Sequence, residues 1–246
     1  MTPSKIALCA MLLGLAARAG AFTADELAAK NIEARGGTAA LAAVKNVRRS
    51  GQIIFNGGQF TLDVVETRQR PDSIREEATL QGLTQVESYD GKDGWKIDPF
   101  QGRKDPERTS PDDWKGLIES ARIGGPLEDY KARGATLEYA GTEDIDGTAA
   151  HKLKLTQKNA DVQYVYLDPD YFLEIRIESQ RSVRGVMQTT ITDLGEYEKV
   201  DGVFWATAIT VGRKGDSTPA KLIYDKVEVN IPLDAGYFSF PSPATN

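Results

Sequence analysis

Few residues in this sequence have the types and spacing that catalysis requires. Its single histidine, His151, lies in a strand-like run with no partner at metal-ligand or triad spacing. Neither Gly-x-Ser-x-Gly nor His-Glu-x-x-His occurs, and the only cysteine, Cys9, lies in an N-terminal apolar run. The adjacent Asp112 and Asp113 are typical of a helix start rather than of acid/base chemistry. The sequence therefore predicts no enzyme, no metal site and no cofactor.

Arg70 is the charged residue with the clearest candidate role. Pro71 follows it and removes a ladder donor, so a strand must end or bend beside a fixed cation. Near apolar surface, the guanidinium needs carbonyl or carboxylate acceptors, such as those at the ends of helices. The alternative is a surface ion pair with Glu66 or Asp72.

Residues 1–21 have the pattern of a cleaved secretory signal peptide. Lys5 precedes an apolar run from Ile6 to Ala17 that is too short to span a bilayer, and small residues suited to cleavage follow. Removal would leave 28 basic and 36 acidic residues, a net charge of −8 instead of −6. This sign argues against nucleic acid and anionic membrane surfaces as partners. We expect 22–246 to form a single exported domain without thiols.

The spacing of apolar residues predicts two kinds of element after residue 22. A 3.6-residue period predicts helices at 23–35, 38–45, 111–123 and 126–132. Alternation with frequent turn signals predicts a meander of antiparallel strands, which must curl or close. The candidate strands are 48–55, 59–69, 73–80, 83–89, 94–98, 135–143, 150–157, 161–168, 171–180, 184–194, 203–212 and 220–230.

One face of the predicted sheet is expected to line an apolar cavity. The helix at 111–123 has its apolar stripe in position to cover it. An ordinary hydrophobic core is the alternative for the large aromatic residues in this set. The candidates are Phe60, Leu62, Val64, Trp95, Ile175 and Ile177 on the sheet, and Trp114, Leu117 and Ile118 on the helix.

Three segments together give the chain a family resemblance. They are Arg70-Pro71 with Ile74 and Arg75, the hairpin from Tyr89 to Phe100, and the run from Val227 that ends at Pro241. In these the chain resembles the periplasmic lipoprotein carriers of the LolA/LolB type and the related outer-membrane lipoprotein-sorting proteins. The resemblance implies a mainly β fold: an incomplete, unclosed antiparallel β-barrel of about eleven strands with a helical lid and N-terminal helices. It also implies that Arg70 helps to hold the lid closed.

The resemblance implies a function as well. The chain would be a monomeric periplasmic carrier that binds the acyl chains of a lipoprotein or lipid and moves them toward the outer membrane. An inner-membrane exporter and an outer-membrane acceptor are the partners expected for such a carrier. A sensor or interaction module that binds an envelope membrane partner is the alternative. The absence of a lipidation cysteine favours a diffusing carrier over an anchored receptor.

Overall fold

One antiparallel sheet of thirteen strands accounts for most of the chain. The computed structural model describes residues 22–241, so the predicted signal peptide lies outside the described residues. The helices are α1 (Ala24–Ala34), α2 (Gly37–Ala43) and α3 (Pro111–Ala121). The strands are β1 (Asn46–Phe55), β2 (Phe60–Gln69), β3 (Ser73–Leu80), β4 (Leu83–Tyr89), β5 (Gly94–Asp98), β6 (Arg103–Arg108), β7 (Thr136–Ile145), β8 (Thr148–Thr156), β9 (Val162–Leu167), β10 (Glu174–Val183), β11 (Val186–Val200), β12 (Val203–Arg213) and β13 (Ala220–Val229).

The strand order explains why a helix crosses the sheet. The order is β6-β5-β4-β3-β2-β1-β13-β12-β11-β10-β9-β8-β7, so β6 and β7 are its two edges. The chain runs outward from β1 to one edge, reaches the other edge through α3, and returns by hairpins to β13, which pairs with β1. Gly51 lies in a bulge of that pair, where a β-carbon would meet Ile223 O at 1.9 Å. The predicted mainly β, unclosed barrel with helices is confirmed.

Three details of the secondary structure differ from the sequence-based expectation. Residues 22–241 form thirteen strands, against twelve candidate segments and the about eleven that the resemblance implies. The segment that was missed is β6, which has no apolar alternation and contains Pro106, a residue that an edge strand tolerates. Residues 126–132 form turns, not a helix. There the Arg133 side chain donates to Pro126 O and Glu128 O, which replaces helical amide donors. The strands expected at 171–180 and 184–194 lie at 174–183 and 186–200.

The helices pack on one face of the sheet, which we call the inner face. The capping box of α1 forms as predicted between Thr23 and Glu26, and Leu27 packs against buried residues of β8 and β9. On α2, Leu41 packs with Trp205 of β12. No helix within residues 22–241 has the length and apolar character needed to cross a membrane.

The C-terminal segment covers part of the opposite, outer face. Phe238 is buried there, and its carbonyl accepts hydrogen bonds from Trp95 Nε1 at 2.8 Å and Ser88 Oγ at 2.9 Å. Phe240 meets the Trp95 ring edge-on, with centroids 6.3 Å apart. Both faces of β3 to β5 are therefore partly covered, the inner one by α3 and the outer one by this segment.

Candidate functional site

Helix α3 bridges two distant parts of the inner face. Its Leu117 and Ala121 are buried against Ile74 of β3 and Tyr89 of β4, and Trp114 and Ile118 pack at the edge of this cluster. Toward β10 the contacts are polar. Lys115 Nζ donates to Ser182 O at 2.6 Å, and Arg184 Nη2 donates to Asp113 Oδ1 at 2.6 Å. One side of α3 is therefore held by apolar packing and the other by charged hydrogen bonds.

An open apolar groove lies on the inner face, next to the part of β3 and β4 that α3 covers. The predicted covering residues Trp114, Leu117 and Ile118 do not line it. The volume of the groove is about 390 Å³. Leu62 and Val64, both predicted for the cavity, form part of its floor, because alternate residues of β2 point to the same face. Phe60 lies on the same face at the end of β2 and is 51% exposed. The other apolar side chains that line the groove are Ile53, Phe55, Ala78, Phe100, Leu222 and Tyr224.

Two predicted cavity residues lie on the outer face instead. Trp95 is opposite Ser88, which is opposite Arg75, so all three point away from α3. Ile175 packs with Ile145 and Tyr166 in an outer cluster. A bulge between Glu174 and Arg176 changes the phase of alternation there, which places Ile175 outside while Ile177 points inward. We therefore remove Trp95 and Ile175 from the candidate site.

A band of charged residues lies between the groove and a second cavity, because Glu66 lines the groove and its partners Arg49 and Arg68 line that cavity. Glu66 accepts hydrogen bonds from Arg49 Nε and Nη2 at 3.0 Å, and from Arg68 Nη2 at 3.0 Å. Arg49 and Glu66 are both buried. Burial by itself raises the pKa of Glu66, but Arg49 and Arg68 hold that pKa below its ordinary value. Glu66 is therefore a fixed anion between two arginines.

Glu76 lies next to this band and forms no ion pair with a basic side chain within residues 22–241. It lies directly opposite Glu66 on one neighbouring strand and Glu87 on the other. Burial, with Glu66 and Glu87 beside it, raises the pKa of Glu76 to about 8. At neutral pH this side chain is mostly protonated and can donate a hydrogen bond into the groove that it lines.

A second cavity, of about 180 Å³, lies beneath α3 and is rich in arginine. We call it the arginine cavity. Four of its arginines have acidic partners. Glu174 lies 3.6 Å from Arg35 and Glu119 lies 3.2 Å from Arg181, while Arg49 and Arg68 share Glu66. Ile177 is the one predicted cavity residue that lines it. The five arginines of its wall are Arg35, Arg49, Arg68, Arg122 and Arg181.

Arg70 binds the helical layer, but not α3 itself. Its Nε donates to Val44 O at 2.9 Å and its Nη2 to Leu41 O at 3.0 Å, at the end of α2. Its Nη1 also donates to Glu128 Oε2 at 3.0 Å, and its Nη2 donates to Glu128 Oε1 at 2.7 Å. The alternative surface pairing of Arg70 with Glu66 or Asp72 does not form. Arg70 thus joins the sheet to α2 and to the segment that follows α3.

Comparison with known proteins identifies the fold. No protein-family model and no curated protein matches the sequence. A LolA superfamily protein from Nitrosomonas europaea covers 89% of this chain and 98% of its own, with a TM-score of 0.61 and 16% identity. A putative outer membrane lipoprotein-sorting protein domain from Vibrio parahaemolyticus covers 86% and 97%, with a TM-score of 0.57 and 14% identity. The fold of this chain is LolA-like.

A third structure of the same fold broadens the comparison. A DUF1329 family protein from Desulfovibrio piger covers 88% of this chain and 95% of its own, with a TM-score of 0.60 and 15% identity. The predicted resemblance is thus confirmed at the level of the fold. At such identities the similarity establishes the fold alone.

The charged residues of the site were not predicted, although the pattern contains a signal for them. Glu66 and Arg68 continue the alternation of Leu62 and Val64, so they point to the same inner face. Arg35 and Arg122 follow the last residues of α1 and α3, and nothing in their spacing relates them to β2. Residues 22–241 contain no group of His, Cys, Asp or Glu side chains placed to hold a metal ion.

Proposed function

We propose that this protein is a periplasmic carrier that binds the acyl chain of a lipid or lipoprotein on its inner face. The observation that carries the proposal is the open apolar groove, with Leu62 and Val64 on its floor. Phe100, which lines the groove, is 40% exposed and Phe60 beside it is 51% exposed, and exposed apolar surface of this kind favours the binding of something apolar. The LolA-like fold supports the same function, because two similar structures are described as LolA superfamily and lipoprotein-sorting proteins.

An acyl chain gains most free energy when it is fully covered, and a movement of α3 would let the protein cover more of it. Each buried CH₂ contributes about 0.8 kcal/mol, so a chain of about 14 such groups gains on the order of 11 kcal/mol when it is fully covered. The groove is open and covers part of such a chain. A shift of α3 would extend the groove toward Ile74 and Tyr89, now covered by Leu117. Release then requires a membrane or an acceptor protein that takes over the apolar contact.

Site-specific photo-crosslinking tests the groove. We expect a crosslinking residue at Leu62 or at Leu222 to capture an acylated ligand, because both side chains line the groove. Asp63 is the matched control, since it neighbours Leu62 and is exposed on the other face of β2. Mass spectrometry of the captured adducts identifies the acyl group. Equal capture at Leu62 and Asp63 would contradict the proposal.

A further inference from the structure

The arginine cavity contains buried donors that have no acceptor. Neither Nε nor Nη1 of Arg122 finds a hydrogen-bond partner within residues 22–241, and Nε of Arg35 and of Arg181 has none there either. Arg68 Nε, by contrast, is held 2.7 Å from Glu66 Oε1. Arg35 is only 7% exposed, so water does not satisfy this donor freely. Burying an unpaired cationic donor costs free energy, so folding alone does not account for this arrangement.

The charges around the cavity are also out of balance. Its five arginines face Glu119 and Glu174 across the cavity, and Glu66 lies behind Arg49 and Arg68. Among these eight side chains the formal excess is two positive charges. The cavity therefore has both the free donors and the charge to bind an anion.

We propose that the arginine cavity binds a phosphate group, and that this phosphate belongs to the acylated ligand that lies in the groove. The unpaired donors come from three elements: the ends of α1 and α3, and strand β10. Donors that reach one cavity from several directions suit a tetrahedral oxyanion better than a planar carboxylate. This inference deepens the proposed function and rests on it for the source of the phosphate.

The two compartments are adjacent, which suits an amphiphilic ligand. Glu66 lines the apolar groove, while Arg49 and Arg68, which bind it, line the arginine cavity. A ligand whose chain lies on Leu62 and Val64 can thus place a phosphate beyond this band, beneath α3. Inorganic phosphate has the same charge chemistry without the chain, so the experiment must separate the two sources.

Binding measurements with three probes test the proposal. The probes are dioctanoyl phosphatidylglycerol, dioctanoylglycerol, which has the same chains without phosphate, and inorganic phosphate. We expect the wild-type protein to bind the phospholipid about tenfold or more tightly than the neutral lipid. Arg122→Gln should remove this preference and leave neutral-lipid binding unchanged. Arg108→Gln is the control, because this arginine is exposed on the edge strand β6.

A second measurement separates ligand binding from a structural role. Because Arg122 is unpaired, Arg122→Gln should unfold at the same or a higher temperature without ligand, yet lose the rise in Tm that the phospholipid gives. Equal affinity for the two lipids in the wild type, or a preference that survives Arg122→Gln, overturns the inference while the proposed acyl carrier stands. Competition by inorganic phosphate with no preference between the lipids overturns the lipid source. Failure of both lipids to bind rejects the carrier function itself.

Discussion

Glu76 is a half-buried acid placed between two others, and its titration should be visible in the stability of the protein. Its pKa is about 8 in the folded state against an ordinary value of 4.5, so between these values the folded state holds a proton that the unfolded state has lost. The free energy of unfolding should therefore fall as pH rises through this window, by up to about 1.4 kcal/mol per pH unit.

The substitution Glu76→Gln keeps the neutral shape and removes the titration. We expect the variant to be as stable as wild type near pH 4.5 and more stable near pH 8.5, as measured by urea unfolding across that range. Glu138→Gln is the control, because this carboxylate is 64% exposed on edge strand β7. If the difference between Glu76→Gln and wild type does not grow with pH, Glu76 is already ionised in the folded protein.

Arg70 is the second residue whose environment makes a direct prediction. Arg70→Leu removes the donors to Leu41 O and Val44 O and leaves the partly buried carboxylate of Glu128 without its cation. We expect a loss of about 2 to 4 kcal/mol in the free energy of unfolding. Hydrogen exchange should rise in 37–43 and 126–134, where the lost partners lie, before it rises in α3.

The matched control for Arg70 is Arg103→Leu, which breaks a half-exposed ion pair with Glu107. This variant should lose less than about 1 kcal/mol and leave exchange in both segments unchanged. Similar exchange profiles for the two variants would show that Arg70 does not anchor the helical layer.

At the scale of the element, α3 has two unequal attachments. Leu117→Ala should cost about 2 to 3 kcal/mol, because it opens space in the cluster around Ile74 and Tyr89. Arg184→Gln should cost less than about 1 kcal/mol, since Arg184 is 71% exposed and its bond to Asp113 is screened by water and salt.

Hydrogen exchange of 111–121 distinguishes the two ends of α3. In Leu117→Ala, exchange should rise at any salt concentration. In wild type, added salt should raise exchange modestly by weakening the contacts with β10, and in Arg184→Gln the salt effect should be smaller. Equal salt sensitivity in wild type and Arg184→Gln would show that the bond between Arg184 and Asp113 does not help to hold α3.

The elements also show what the sequence determines. Most strands were predicted, because period-2 alternation and turn residues specify them locally. The face on which Trp95 lies was predicted wrongly. Alternation assigns residues to two faces but does not say which face is the inner one, and both faces of β5 are covered. The face on which Ile175 lies depends on a bulge in β10. The predicted helix at 126–132 does not form, because the Arg133 side chain binds carbonyls of that segment. These outcomes depend on contacts between residues far apart in the chain.

At the scale of the whole molecule, the site is an assembly of both halves of the chain. The groove combines residues of β1 to β4 with Leu222 and Tyr224 of β13. The arginine cavity joins Arg49 and Arg68 from the first half with Arg181 from β10, and α3 lies over both halves. Resemblance to a family predicted this architecture, but composition and spacing did not indicate that arginines from separate elements would meet.

The pairing of β1 with β13 has a consequence for how the protein folds. Hairpins between successive strands form from nearby residues, whereas β1 is the first strand in the chain and β13 the last. Closing so long a loop is slow compared with local pairing. We therefore expect two partly structured half-sheets to precede the native state, each with an unpaired edge until β13 joins β1. A chain interrupted before Ala220 would keep the edge of β1 open and prone to aggregation.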